Sequence, residues 1–353
     1  MPTLNPDFRG ADEVFVPANL KDMCGWTDGT ISESEAVLKE RFGQDDLMKS
    51  LPMQTTIREE PKQLPAIVDA WNSFQASKGR GPGSCDWSLL DEFIYGKPLL
   101  WLPQIIGSCV ISNSFRGFVI RQNYQIAILG EPQEYFGKNE FGQNNLAFYG
   151  PWLYGAARKR ANMRGGDGLY CEALQKSFLL DGVVTCSTPK LVELLTKLGA
   201  AKEKDFPEPQ NERLYRQFGD WNYIEELRPY ADFKLADCPT VTSQADLKAC
   251  LEVGKPVFHC SMVAIHKVGT HKDGFAIHKR NPRDQWAHNM CYHGFFYASD
   301  GELFYRMSNE SWPDGPIYNL PASEVDDFYA RRNVTSAAIG RIQGPMSAPV
   351  SIA

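Results

Sequence analysis

The stretch Gly107-Ser108-Cys109-Val110-Ile111-Ser112-Asn113-Ser114-Phe115 decides how this chain is read. Two small residues precede a cysteine. Ile111, Phe115, Phe118, Val119 and Gln122 then fall on one side of a helix predicted over 109–122, an amphipathic pattern. A thiol at the start of a helix sits at the positive end of the macrodipole, which favours thiolate over thiol. Gly107 and Ser108 leave room for a substrate carbonyl and for backbone N–H groups that point at it. The plainer alternative is a cysteine that packs there as a small hydrophobe.

Further along, Ala287-His288-Asn289-Met290 opens a predicted strand over 288–298, and Asp300-Gly301 turns it tightly into a second strand over 302–308. Imidazole is the natural general base for a thiol near neutral pH. Ser308-Asn309-Glu310-Ser311-Trp312 follows, where Asn309 could fix the tautomer of His288 and Trp312 could shield the pair from water. A core histidine, a turn asparagine and a core tryptophan are the alternatives.

Around these motifs the spacing predicts a helix over 169–180 with Gly182 ending it, one from Pro189 to Gly199, and one from Ser243 to Gly254. A strand is expected over 256–262. Helices first and antiparallel strands later indicate an α+β domain. Residues 1–84 read as an accessory arm, with a capped helix at Ser32 and Glu35 carrying Leu38 and Phe42. A second short helix there carries Ile67, Ala70, Trp71 and Phe74, and Gly79–Gly83 is a turn. The main domain is placed at 85–345 and a tail at 346–353.

Composition narrows the function classes. A 353-residue chain with 43% hydrophobic and 12% aromatic residues can bury a sizeable core. A net charge of −6 with scattered basic residues argues against nucleic acid as a partner. No apolar run approaches a membrane span, and no secretory signal opens the sequence, so a cytoplasmic location or one within an assembled particle is expected. The nine cysteines lack CxxC pairs and read as reduced thiols. His259, His266, His271 and His278 match no zinc spacing and read as surface or loop histidines, so no metal and no cofactor is called for.

The order of Cys109 on a helix start, His288 on a later strand and Asn309 after the next strand resembles the papain-like cysteine peptidases. Arg164-Gly165-Gly166-Asp167-Gly168 and the helix after it are similar to that family's Gly-Gly segment. Val241-Thr242-Ser243 and Gly254-Lys255-Pro256-Val257 are similar to its approach to the catalytic histidine, and the resemblance spans roughly 86–342. It implies a two-lobed fold, a helical N-terminal lobe and an antiparallel β-sheet C-terminal lobe. It implies Cys109 as nucleophile, His288 as acid/base, Asn309 as orienter and Gln104 as a donor to the oxyanion. Gly165 and Gly166 would line the cleft, with extended backbone hydrogen-bonding a peptide or protein substrate.

Several positions depart from the family pattern. Gln104 lies one residue nearer the cysteine, Val110 replaces a tryptophan, and Asn309 precedes Trp312 with one residue inserted. Ile106 and Met163 occupy the places of a disulfide common in secreted members, which suits reduced thiols. Three function classes stay open at this point. One is a thiol peptidase or amidase working through a thioester acyl-enzyme. Another is a structural or assembly component, of a viral particle for instance, whose arm and tail protein partners hold. The third is acyl transfer or cell-wall amide cleavage on a related scaffold.

Overall fold

The computed structural model describes residues 65–96, 104, 106–130, 148–186, 188–200, 212–309, 317–330 and 334–344. The helix expected at Ser32, the residue Trp312 and the tail 346–353 lie outside the described residues. The fold is α+β. Its helical half comprises α1 (Pro65–Ser77), α2 (Leu90–Tyr95), α3 (Cys109–Ala127), α4 (Gly150–Arg160), α5 (Cys171–Leu180), α6 (Pro189–Lys197), α7 (Glu212–Gly219) and α8 (Ile224–Leu227). The sheet half holds β3 (Val257–Thr270), β4 (Ala276–Tyr297), β5 (Leu303–Ser308), β6 (Ile317–Pro321) and β7 (Val334–Ala338), with α9 (Gln244–Glu252) and α10 (Ala322–Ala330). The short strands β1 (Cys85–Asp86), β2 (Lys234–Leu235) and β8 (Ile342–Gln343), with 3-10 turns at Trp87–Leu89 and Arg228–Tyr230, complete the described elements.

The main sheet runs β6-β5-β4-β3-β7, every pair antiparallel, with β1 added on β4. The Asp300-Gly301 hairpin forms as expected, Gly301 N–H donating to the Ala298 carbonyl at 2.9 Å. Both β3 and β4 run well beyond their predicted lengths, to 14 and 22 residues. Register shifts between Ser261 and Val263 and between Lys267 and Gly269 break the simple alternation by which a strand is recognised.

Helix α3 is longer than predicted and is not a surface helix. Its apolar side, including Ile111, Phe115 and Phe118, lies in the core, where Phe118 meets Phe148 edge to face at 5.3 Å. Burying each such ring is worth about 1.5–3 kcal/mol. Its polar side is buried as well, and most of its polar residues find a partner, the Ser114 hydroxyl being an exception. Arg121 donates to the carbonyls of Val253 (3.0 Å) and Gly254 (3.2 Å), Gln125 to that of Ile342 (3.1 Å), and Asn123 to the Asp91 carboxylate (2.7 Å). The amphipathic expectation is therefore corrected: α3 is the central helix, surrounded on all sides.

Residues just before the predicted domain start pack onto this body. Trp71 of α1 stacks on Trp87 at 5.5 Å, and Trp87 meets Tyr124 of α3 at 4.9 Å. Asp86 of β1 is fully buried and takes ion pairs from Arg80 (2.8 Å) and Arg306 (2.6 Å), which clasps this segment to β5. Among the described residues no helix is long and apolar enough to cross a membrane.

Candidate active site

Helix α3 begins at Cys109, after a Ser108 that makes no side-chain cap; its hydroxyl is buried and unbonded. Gly107 is forced by its surroundings, since a Cβ there would stand 2.9 Å from both the Asp167 Cβ and the Gly168 nitrogen. The Gly165–Gly168 turn thus abuts the entry to α3. The sheet delivers the other half. Asn113, one turn into α3, donates to the Cys109 carbonyl at 3.1 Å and to the Asn289 carbonyl at 2.7 Å. The first turn of α3 is therefore joined to the residue that follows His288.

His288 is buried in β4, and its Nε2 lies 2.8 Å from Oδ1 of Asn309. An amide oxygen can only accept, so Nε2 carries the proton and Nδ1 is the nitrogen able to take another. Asn309 is oriented in turn by Tyr318, whose hydroxyl stands 3.5 Å from Nδ2. Burial dominates the protonation of both Cys109 and His288. It pushes the Cys109 thiol up to about 12, against the backbone N–H groups of Asn289 and Val110 that favour the thiolate. It pushes His288 down to about 4, against the hydrogen bond with Asn309. In this closed arrangement near neutral pH, both groups are uncharged.

The remaining sequence candidates fall as follows. Gln104 is partly buried in the segment ahead of α3. Gly165 and Gly166 are exposed, with φ of 70° and 64°. The extended backbone that the resemblance implies is therefore corrected to a left-handed turn, which glycine alone adopts freely. Gly165 also has both backbone groups engaged, its N–H donating to Asp220 (3.1 Å) and its carbonyl accepting from Arg158 (2.6 Å). The turn is built from within, by charged side chains of α4 and of the loop after α7.

Two further expectations are corrected. Cys171, the first residue of α5, is bonded to Cys260 of β3, with Cα atoms 6.7 Å apart. Not every cysteine is a reduced thiol, because these two meet where the helical half packs on the sheet. His259, His271 and His278 are buried and not surface groups. His259 bonds to Ser336 at 2.8 Å, and His278 takes the Asn319 N–H at 3.1 Å. His271 bonds to Asp300 at 3.0 Å, and with Glu302 these two bring metal-capable atoms within 4.8 Å of one another. Lys272 also reaches Asp300, at 3.4 Å, supplying a cation of the protein's own.

Asn113 and Asn289 escaped the reading of the sequence. A signal existed for the first. An asparagine in a helix interior competes with the backbone and is out of place unless bonded, and position i+4 puts it over the turn that holds Cys109.

This chain is similar to papain-like cysteine proteases of known structure. Xylellain from Xylella fastidiosa shares 14% identity over 74% of this chain and 87% of its own, with a TM-score of 0.41. Procathepsin B from Trypanosoma congolense shares 12% over 74% and 77%, at 0.41. The E64-inhibited bromelain of Ananas comosus shares 12% over 74% and 100%, at 0.38. Likenesses of this size carry no argument about chemistry. No protein-family model matches the chain, and no curated protein matches it in sequence.

Proposed function

We propose that the chain is a papain-like cysteine hydrolase that cleaves an amide bond in a peptide or protein substrate. The observation that carries this reading is the hydrogen bond from His288 to Asn309 at 2.8 Å, on the strand whose next residue, Asn289, is tied through Asn113 to the Cys109 carbonyl. Nδ1 of His288 takes the Cys109 proton, and the thiolate attacks the scissile carbonyl. The tetrahedral oxyanion is held by the Cys109 backbone N–H and by Gln104. Its collapse expels the amine, which receives the proton from His288. Water, deprotonated by His288, then hydrolyses the thioester and frees Cys109. Because Cys109 is 0% and His288 1% exposed, substrate entry requires this cleft to open.

Iodoacetamide labelling tests the proposal without knowledge of the substrate. Cys109 should alkylate faster than Cys186, with a pH profile of its own, and His288→Gln should slow it by about 10²-fold or more, the scale of general-base assistance. Asn309→Ala should slow it less. The burial of both reactive groups favours a second reading, a structural or assembly protein on the same scaffold. Equal labelling of Cys109 and Cys186, unchanged by His288→Gln, would establish that reading over the first.

A further inference from the structure

The described β4–β5 ladder ends at Cys291 opposite Ser308. Two residues before that end, the backbone of Asn289 is engaged by helix α3. Its carbonyl accepts from Asn113 Nδ2 at 2.7 Å. The same Nδ2 also donates to the Cys109 carbonyl at 3.1 Å. A primary amide nitrogen has two protons, so one side chain holds the nucleophile's own residue with one and the residue after the base with the other. Asn113 is itself fully buried. The Asn289 side chain extends the junction to the far side, lying 3.1 Å from the Cys260 sulfur of β3.

We infer that Asn113 is a positioning residue: by tying the first turn of α3 to the Asn289 carbonyl, it sets the separation between the Cys109 thiol and the His288 imidazole. This rests on the hydrolase reading and adds to it a part that neither the Cys-His-Asn pattern nor the Gly-Gly segment supplies. Displacements of about 1 Å between reacting groups cost on the order of 10²-fold in rate. An alanine at 113 leaves the Asn289 carbonyl without this donor and lets β4 shift relative to the helix. Asparagine fits where serine does not, because its two donors diverge and a hydroxyl has only one.

The test is the pH dependence of iodoacetamide alkylation in the full chain, with Cys186, a partly exposed thiol, as internal reference. Asn113→Ala should slow Cys109 by about tenfold and move its pH midpoint upward, while Cys186 is unchanged. Asn113→Ser, with one donor, should fall between. Thermal unfolding of each variant separates stability from reactivity. A variant that melts earlier while Cys109 keeps its rate and midpoint overturns the inference, because a purely structural asparagine behaves so. Should Asn113→Ala fail to fold, Asn113→Asp decides: it keeps the shape, replaces donors with acceptors, and must show the same slowing. If Cys109 in the unsubstituted chain reacts no faster than Cys186, the hydrolase reading itself fails and takes this inference with it.

Discussion

Helix α3 and the sheet around β4 are both buried along their working lengths, yet they treat polar groups in opposite ways. On α3, Asn113, Arg121, Asn123 and Gln125 each reach a carbonyl or a carboxylate. In the sheet, Nε2 of His293, Nε2 of His259, Oδ1 of Asn289 and the Tyr292 hydroxyl are buried with no hydrogen-bond partner, while Nδ1 of His293 faces the Asp86 carboxylate at 3.8 Å. An unpaired buried polar atom costs about 1–3 kcal/mol, so these positions weaken the sheet. The helix is fixed mainly by its paired polar residues, whereas unpaired polar atoms gather on and beside the strand that presents His288. Local rules are broken near where the chemistry is proposed, a common arrangement for functional sites.

Acid should expose that contrast most strongly. Burial holds His259 down to about 3, and His278 and His288 down to about 4, all below the ordinary value of 6.5. The unfolded chain therefore binds more protons than the folded one between pH 6.5 and these values. Stability should be full above pH 6.5 and fall steadily as pH drops through that window. Each unit of displacement is worth about 1.4 kcal/mol, so the total loss by pH 4 should amount to several. Urea melts at stepped pH measure it, and His259→Gln should flatten the slope. A flat profile from pH 7 to 4 would contradict the burial of these rings.

A helix-side test is expected to cost less. Arg121→Met keeps much of the buried volume but leaves the Val253 and Gly254 carbonyls without that donor, and should destabilise by about 2–4 kcal/mol at any pH. The smallest effect should have the opposite sign. Tyr292→Phe removes a buried hydroxyl that has no partner and should be neutral or stabilise by up to about 1 kcal/mol. If Tyr292→Phe instead destabilises by as much as Arg121→Met, the distinction between the two regions is wrong.

Much of the fold was legible because its signals are local. Small residues before Cys109, Gly182 after α5 and the Asp300-Gly301 turn each act through neighbouring backbone. What escaped depends on distant partners. Arg121, Asn123 and Gln125 look solvent-facing until Val253, Asp91 and Ile342 are brought to them. The length of β4 was hidden by polar residues and by bulges in its partner, and the burial of three histidines by the sheet that closes over them. At the candidate site the residue types of Cys109, His288 and Asn309 could be read in order. The Asn113 bridge could not, since its second carbonyl lies 176 positions away.

The Cys171–Cys260 bond closes a loop of chain that contains α6, α7, α8 and α9. Should a protease nick an accessible turn inside that loop, both fragments would stay covalently joined and run as one species until a reductant is added. Cys109 and His288 would then sit on different polypeptides, and the pair could persist in a two-chain molecule held by that single sulfur link and the shared core.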